Sequence, residues 1–534
     1  MFATKKSHLL SLLFGLIAIQ FTTEAAANCA TQTDIPVAQC NALIELYTAT
    51  DGPNWTDPSG WNTSASPCGW HGVTCLGGGV TELDLTRNKL VGTLPDLALP
   101  DLTLLYLHHN QLSGEIPDFS NLPNLTYLVL NNNQLSGEIP DFSNLPNLTY
   151  LNLSNNQLSL SNNQLSGEIP DFTNLPNLYW LHLGGNQLSG EIPDFGNLPN
   201  LVYLYLHHNQ LSGEIPDFSN LPNLVYLLLY TNQLSGEIPD FSNLPNLTRL
   251  NLDQNQLSGE IPDFSNLPNL TDIIFRQNQL SGEIPDFSNL PNLMWLYLFN
   301  NQLSGTIPDF TNLPNLTLLE LAANQLSGEI PDFSNLSNLT LLNLFNNQLS
   351  GDIPDFSHLP NLAVLYLGYN QLSGEIPNFS NLPNLTRLWL SGNQLSGEIP
   401  DFSNLSNLTL LNLDQNQISG TIPDLPDTLT YGSFDYNALT GAATTEPMML
   451  DPDWADTQTI PPDVVWAAEV SPGNVELILV PVSYIARPGY YQVFYSKTPG
   501  GPYISGPTTV DKSATSITVS GLIDGETYYF IVKT

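Results

Sequence analysis

Positive charge is scarce in this chain of 534 residues: 11 lysines and arginines stand against 50 aspartates and glutamates, giving a formal net charge of −39. Binding to a nucleic-acid backbone or to an anionic membrane requires clustered basic side chains. The composition therefore disfavours nucleic acid and anionic membranes as partners. The acidic excess favours solubility and attracts cations or basic partners.

Long apolar runs are also scarce, and the exception lies at the N-terminus. Lys5 and Lys6 precede an apolar run from Leu9 to Phe21, and small residues follow at 25–27. This pattern is typical of a signal peptide, and we predict cleavage before Asn28. The mature chain is predicted to have no transmembrane segment. We therefore expect a secreted or cell-surface protein, with a lipid-modified Cys29 as the alternative.

Cysteine is limited to four residues, Cys29, Cys40, Cys68 and Cys75. An even number in an exported chain indicates two disulfides, and four cysteines allow three pairings. We favour Cys29–Cys40 and Cys68–Cys75 because each closes a short local segment.

Signatures of catalysis are missing as well. The sequence has no nucleophile elbow, no HExxH motif, no phosphate-binding loop and no carboxylate pair set in a predicted cleft. Its regularly spaced carboxylates do not predict a glycosidase, since that chemistry needs two carboxyl groups in different environments. We expect a non-enzymatic protein with no cofactor and no dedicated metal site.

What the chain has in abundance is one repeat of about 23 residues, LPNLTYLVLNNNQLSGEIPDFSN at 122–144. It recurs from about Gly77 to the low 420s, in fifteen units and a worn sixteenth at 427–441. A fixed period of this size predicts a solenoid, in which each unit packs only on its neighbours.

The residues within one unit have distinct predicted roles. Leucines of a short strand, such as Leu128, point inward, and Asn133 lies buried at a turn where its amide pairs with backbone groups. Gly137 permits a tight bend and Pro140 excludes a helix on the outer side. Phe142 is predicted to join a buried stack of phenylalanines.

The pattern L-x-x-L-x-x-L-x-L-x-x-N-x-L-x-G-x-I-P resembles the plant-type leucine-rich repeat. The stretch ALIELYTATDGPNWTDPSGWNTSASPCGWHGVTC, ending at Cys75, resembles the N-terminal cap of such proteins. The resemblance implies a helix and a short strand covering the first unit, with Trp55, Trp61 and Trp70 in the cap core rather than on a binding surface. Each unit is one residue shorter than the common plant form, so we expect turns on the outer side.

Two segments depart from the repeat. Ser154–Leu160 is duplicated at once as Ser161–Gly167, which we expect to loop out, and a role in binding is the alternative. From about Pro461, alternating runs predict strands at 475–480, 490–495, 516–520 and 527–532.

This C-terminal region resembles a fibronectin type III domain in YYQVFYS and in GLIDGETYYFIVKT, where Tyr528 matches the family's tyrosine corner. The strand-B tryptophan of that family is missing and the sequence ends at Thr534 before a final strand. An incomplete domain, or an edge that pairs with something else, is therefore expected.

The predicted fold is mainly β: a curved, right-handed leucine-rich repeat solenoid with a disulfide-bonded cap, followed by a small β-sandwich. The predicted domains are a signal peptide at 1–27, a cap at 28–76, the solenoid at 77–441, a linker at 442–460 and the fibronectin-like domain at 461–534.

The units agree on their outer side and differ at the strand positions, which predicts a recognition surface on the concave face. Aromatic residues are frequent there and dominate binding hot spots; cross-strand packing that merely stabilises the sheet is the alternative. The predicted ligand-binding residues are Tyr106, His108, Tyr127, Tyr150, Trp180, His182, Tyr203, Tyr205, His207, Tyr226, Arg249, Trp295, Tyr297, Tyr366, Arg387 and Trp389.

The sequence thus predicts a protein that binds an extended protein or polysaccharide at the cell surface. A structural or adhesive role is the alternative. Ice binding is a narrower one, prompted by a threonine row at 103, 126, 149, 248 and 271 that Tyr179, Val202 and Met294 interrupt. Weak calcium binding along the stacked Glu138 and Asp141 rows is a further hypothesis.

Overall fold

The computed structural model describes residues 29–63, 66–156, 164–442, 463–481 and 490–534, together with positions 450, 451, 455 and 458. The predicted signal peptide and the centre of the duplicated stretch, residues 157–163, lie outside the described residues. Within the described part, no helix is both long and apolar enough to cross a bilayer.

The cap forms as the sequence predicts. An α-helix spans Val37–Ala49 directly after Pro36, and 3-10 turns follow at Gly52–Asn54 and Pro67–Gly69. The strand Val73–Leu76 pairs antiparallel with Gly79–Asp84 and so covers the edge of the first unit.

The core of the cap is aromatic. Trp55, Trp61 and Trp70 are at most 4% exposed, and their rings pack at centroid distances of 4.9 and 5.1 Å. The disulfides are Cys29–Cys40 and Cys68–Cys75, as predicted. Because the sulfur of Cys29 is bonded to Cys40, the alternative of a lipid at that sulfur is not supported.

One sheet of seventeen strands runs through the solenoid. All its pairings are parallel except the one made by the cap strand, and each strand pairs in register with the same positions of the next unit. The strands after the cap pair are Leu104–Tyr106, Tyr127–Val129, Tyr150–Asn152, Trp180–His182, Tyr203–Tyr205, Tyr226–Leu228, Arg249–Asn251, Asp272–Ile274, Trp295–Tyr297, Leu318–Glu320, Leu341–Asn343, Val364–Tyr366, Arg387–Trp389, Leu410–Asn412 and Tyr431–Ser433.

Buried ladders behind this sheet specify the coil. Asn133 accepts a hydrogen bond from the Leu112 N–H at 3.0 Å and donates to the carbonyls of Leu107 and Leu130. Its equivalents repeat these contacts, for example Asn255 in a later unit. The asparagine ladder therefore satisfies backbone groups that have no strand partner.

The phenylalanine stack also forms, in a strained backbone. Phe142 is fully buried with its ring centroid 6.5 Å from that of Phe119, while its φ is +49°. The left-handed conformation destabilises a residue other than glycine by roughly 1–2 kcal/mol. Burying a phenylalanine side chain stabilises the fold by about 1.5–3 kcal/mol. Burial thus offsets the strain in each unit.

The outer side consists of turns, without a helix in residues 77–156 or 164–442. The sequence did not predict the short parallel strands that many units form around the Leu-Ser-Gly positions, because Ser and Gly are typical of a turn. They are Val91–Thr93, Gln111–Gly114, Gln134–Gly137, Gln164–Leu165, Ser235–Gly236, Gln256–Leu257, Ser327–Gly328, Gln348–Asp352, Gln371–Ser373, Ser419–Ile422 and Ala438–Ala442.

The predicted linker contributes to the C-terminal end of the solenoid at its described positions. Gln458 is 1% exposed; its side chain accepts the Leu439 N–H at 3.0 Å and donates to the Phe434 carbonyl at 3.1 Å. It thereby continues the asparagine ladder by one step, and Leu450 and Ala455 pack against the core. No repeat pattern marks Gln458, so the sequence alone did not reveal this role.

Two three-stranded antiparallel sheets form the C-terminal region. One contains Asp463–Ser471, Asn474–Val480 and Ser516–Ser520, and the other contains Gln492–Ser496, Ile504–Thr508 and Tyr529–Lys533. Tyr491 is fully buried in their core.

Candidate functional site

Three rows of side chains cover the strand face of the solenoid. The first and second rows come from the two strand positions that flank the buried leucine, and the third row comes from the second residue after each strand. The predicted residues fall in the first row (Tyr127, Tyr150, Trp180, Tyr203, Tyr226, Arg249, Trp295, Arg387), the second row (Tyr106, His182, Tyr205, Tyr297, Tyr366, Trp389) and the third row (His108, His207).

The aromatic residues of these rows do not form one continuous band. Tyr127, Tyr150, Trp180, Tyr203 and Tyr226 make an unbroken series of ring contacts in adjacent units, with centroids 4.5 to 5.3 Å apart. We call these five rings the N-terminal aromatic cluster. Tyr127 is 38% exposed and the other four rings are half-buried, so the cluster presents a mostly apolar platform.

Neutral imidazoles border this cluster. The rings of His182 and His207 lie 5.4 Å apart, and His207 stacks on Tyr230 at 4.5 Å. Burial lowers the pKa of His182 and that of His207 to about 4 in each case. Both rings are therefore uncharged near neutral pH and act as hydrogen-bonding groups rather than cations.

A polar segment follows the N-terminal aromatic cluster. Arg249 pairs with Asp272 at 2.7 Å and lies 5.3 Å from the centroid of the Trp295 ring, and Arg276 pairs with Asp253 at 2.8 Å. Burial raises the pKa of the Asp272 carboxyl, while Arg249 opposes that rise. Ion pairing thus neutralises both guanidinium groups within the face.

A second aromatic group lies further along the solenoid. The rings of Phe345 and Trp389 are 5.9 Å apart, and those of Tyr366 and Trp389 are 6.0 Å apart. Tyr297 lies between the two groups, where burial and then the nearby Glu320 raise the pKa of its phenol. Phe345 and Tyr369, which packs on it at 5.1 Å, lie beyond the strand positions and were not predicted.

Hydrogen-bonding groups without partners are concentrated in one part of this face. Within the described residues, the buried side-chain polar atoms that lack a partner all belong to positions between 180 and 253. On the face they are Nε1 of Trp180, Nε2 of His182, Nδ1 of His207, Oγ1 of Thr231, Nε of Arg249 and Oδ1 of Asp253. Nε of Arg249 is nevertheless engaged in the ion pair with Asp272, and the remaining atom, Oδ1 of Asn186, belongs to the buried asparagine ladder. Such atoms are rare in folded proteins and require an explanation, such as water or a ligand.

A shallow groove of about 1080 Å³ runs along the starts of the strands, from Asn177 to Asn338. Its amides are committed to the backbone, as where Asn223 donates to the Pro199 carbonyl at 2.9 Å. The threonine hydroxyls of the row suggested for ice donate in the same way, as Thr271 does to Thr248 at 3.0 Å. The groove therefore offers fewer free donors than the strand face.

The outer carboxylates have structural partners. Asp141 accepts the Ser143 N–H at 2.9 Å, and the same turn bond recurs where Asn378 replaces the aspartate. One group of three carboxylates, Asp414, Asp435 and Asp451, has oxygens within 4.8 Å of one another. Asp414 accepts the backbone N–H of Asp435, and Asp451 accepts that of Phe434. These carboxylates therefore also stabilise the end of the solenoid.

Comparison with known proteins agrees with this architecture. Family models described as Leucine Rich repeats (2 copies) match residues 123–159, 176–220, 199–243, 337–381 and 383–427. Models for a single Leucine Rich Repeat match 101–122, 246–267 and 292–313, and the Leucine rich repeat N-terminal domain matches 38–76.

Three relatives show how far the similarity extends. The plant peptide hormone receptor RGFR1, solved in complex with RGF2, has 33% identity and a TM-score of 0.58 over 70% of this chain and 76% of that one. The Leptospira interrogans LRR protein LIC12759 has 32% identity and a TM-score of 0.51, over 62% of this chain and 83% of that one. Receptor-like kinase TMK4 of Arabidopsis thaliana is 33% identical over 21% of this chain, but the match spans only 11% of that protein.

Proposed function

The chain belongs to the leucine-rich repeat proteins, with plant-type repeats and the N-terminal cap of that family, and we propose that it is an exported, non-enzymatic protein that binds an extended partner along its strand face. The observation that carries this proposal is the position of the unpartnered polar atoms. Apart from Oδ1 of Asn186, which belongs to the buried asparagine ladder, they lie on the same face as the N-terminal aromatic cluster, whereas the outer side engages its polar groups in turns.

The partner is a protein or a polysaccharide at the cell surface. Large, half-buried tyrosine and tryptophan rings with polar tips are the side chains that dominate binding hot spots. Cross-strand packing accounts for the contacts within the N-terminal aromatic cluster, but it leaves the nitrogens of Trp180 and His182 unexplained. The similarity to a peptide hormone receptor supports a binding role for the solenoid.

The alternatives have less support. Ice binding requires a regular row of free hydroxyls, whereas the threonines donate to backbone carbonyls and Tyr179, Val202 and Met294 interrupt their row. Calcium along the acidic rows is weakened by the aspartate turn bonds, which satisfy one oxygen in each unit. An adhesive role would use the same strand face, and it differs from the proposed function only in that the face would have no single ligand.

For the C-terminal region we propose a fibronectin type III-like domain. Its two three-stranded sheets support this, as does Tyr528, whose hydroxyl accepts the Ile523 N–H at 3.1 Å in the manner of a tyrosine corner. We retain 28–76 and 461–534 as proposed domain boundaries, and we extend the proposed end of the solenoid from 441 to Gln458, which continues its asparagine ladder.

The test is binding to an array of extracellular glycans and secreted proteins by the full chain and by a quadruple variant. Trp180→Ala, Tyr205→Ala, Trp295→Ala and Trp389→Ala together remove large rings from the N-terminal part, the middle and the C-terminal part of the face. Since one hot-spot residue contributes about 2 kcal/mol, binding should fall more than tenfold.

The matched control changes exposed serines on the outer turns to alanine, at Ser143, Ser219, Ser265 and Ser334. It should bind like the unmodified chain. Equal binding by the quadruple aromatic variant would refute the proposed surface.

A further inference from the structure

A second depression of the strand face lies towards the ends of the strands, and Arg249 alone of its lining residues was among the predicted ligand-binding residues. It has a volume of about 420 Å³ and lies between Tyr226–Leu228 and Asp272–Ile274. Its lining includes Tyr230 and Asp253, which belong to the third row, and Thr231, which follows Tyr230 in the chain. We call it the third-row pocket, and its size falls within the range of small-ligand sites.

Three buried polar atoms of the third-row pocket lack a hydrogen-bond partner, on Thr231, Arg249 and Asp253. The ion pair with Asp272 at 2.7 Å accounts for Nε of Arg249, which leaves the atoms of Asp253 and Thr231. The Asp253 side chain is 1% exposed; its Oδ2 accepts hydrogen bonds from Nε and Nη2 of Arg276 and from Gln254, while its Oδ1 accepts none. The Thr231 hydroxyl is buried and unpartnered as well. An unpaired buried acceptor is costly, and a ligand hydroxyl that donates to it removes that cost.

The charges of the pocket are already balanced. Arg276 is paired with Asp253, and Arg249 is paired with Asp272 just outside the lining. A carboxylate or phosphate ligand would have to compete with these carboxylates for the guanidinium groups. A basic ligand would meet no free carboxylate among the lining residues. The electrostatics therefore favour an uncharged ligand.

The rest of the lining combines apolar and amide groups. Tyr230 is held against His207 by ring stacking at an interplanar angle of 9°, and Leu228 and Ile274 add apolar surface. Asn251 and Gln254 add amides that both donate and accept. A ligand that fits has several hydroxyl groups on its edge and C–H groups on its faces.

We propose that the third-row pocket binds one unit of a neutral saccharide, with a sugar hydroxyl donating to Oδ1 of Asp253 and another bonding Oγ1 of Thr231. This rests on the proposed function, because the remaining units of the chain would lie on the N-terminal aromatic cluster, which ends at Tyr226 beside the pocket. The inference narrows the partner from an extended polymer to an uncharged glycan.

The test uses the full chain against neutral oligosaccharides (glucans, mannans, galactans, xylans and chitin oligomers), anionic oligogalacturonates, and acidic and basic peptides. The tightest neutral probe is then titrated against Thr231→Val. This change keeps the side-chain shape and removes one hydrogen bond, so affinity should fall about 3- to 10-fold. Stability should stay equal or rise, because the lost hydroxyl is unpartnered in the free protein.

Thr271→Val is the matched control, since its hydroxyl bonds the Thr248 carbonyl outside the pocket; its affinity should match the unmodified chain. Asp253→Asn is the second variant, with a larger loss expected. Binding of peptides or oligogalacturonates but no neutral saccharide would overturn the inference. So would equal saccharide affinity in Thr231→Val and Asp253→Asn. If the quadruple aromatic variant lost that binding while these two kept it, the pocket would fail and the proposed face would stand.

Discussion

The outer side and the strand face belong to the same repeating unit, yet they differ in how their polar groups are satisfied. On the outer side and in the buried ladders, polar side chains bond to backbone groups: Asn133 bonds to groups of the preceding unit, and Asp141 to the Ser143 N–H of its own turn. On the strand face, polar atoms such as Nε1 of Trp180 and Oδ1 of Asp253 have none.

This difference separates folding from recognition within a single repeat. A ladder residue is constrained by its neighbours on both sides, so a change disrupts two interfaces of the solenoid. A strand-face residue makes its side-chain contacts within one surface, and it can vary while the buried leucine beside it stays the same. Changes in the ladders should therefore alter stability, and changes on the strand face should alter binding first.

The largest expected effect is in the asparagine ladder. Asn255→Ala removes the acceptor of the Leu234 N–H at 3.0 Å and the donor to the carbonyls of Leu229 and Leu252. Leaving buried backbone groups unpaired should lower the free energy of unfolding by about 1–3 kcal/mol. Urea denaturation followed by circular dichroism measures this loss.

Asn251→Ala in the strand of the same unit is the matched control, since Asn251 lies on the strand face and accepts one bond, from the Asp253 N–H at 3.1 Å. It should cost less than the ladder change. An equal or larger cost at Asn251 would break the distinction between the two sides.

A smaller effect should appear in the pH dependence of the strand face. The pKa of His182 is about 4 in the folded chain because of burial and the nearby His207, against about 6.5 when unfolded. The unfolded chain therefore binds the proton more readily, so the stability due to neutral His182 is present above pH 6.5 and is lost as pH falls towards 4.

His182→Asn introduces the residue that other units have at this position, such as Asn152 and Asn343. Between pH 6.5 and 4 the variant should lose less stability than the unmodified chain, by on the order of 1 kcal/mol. The difference between the two proteins is the useful quantity, because burial raises the pKa of Asp272 and Glu320, and these groups act in the opposite direction. His358→Asn, at an exposed outer position, is the control; parallel curves for His182→Asn and the unmodified chain would contradict the expectation.

The sequence predicted the parts of the solenoid that repetition determines. The roles of Asn133, Gly137 and Phe142 follow from residue chemistry and from the period alone, and the structure confirms all three. The ring contacts of the N-terminal aromatic cluster follow from the parallel register of adjacent strands.

The third-row pocket could not be predicted in this way. Period-2 alternation assigns only two strand positions to the concave face, and it says nothing of Asp253 once the strand has ended at Asn251. The path after the strand includes a left-handed residue in each unit, with φ of +56° at Thr231, and this turn brings the third row back towards the face. Gln458 was missed for a different reason, since it joins the ladder from outside the period.

The smallest expected effect concerns the acidic row on the outer side. Asp240 is exposed, and its Oδ1 accepts the Ser242 N–H at 2.9 Å; Asn378 makes the same bond to Ser380 at 3.0 Å in another unit. Asp240→Asn should therefore keep the turn and change the free energy of unfolding by less than about 0.5 kcal/mol. Asp240→Ala, which removes the acceptor, should cost more.

Melting curves of Asp240→Asn with calcium and with EDTA would then coincide with each other and with those of the unmodified chain. A calcium-dependent rise in melting temperature that Asp240→Asn reduces would instead mean that the row holds cations, and that the outer side is a binding surface in its own right.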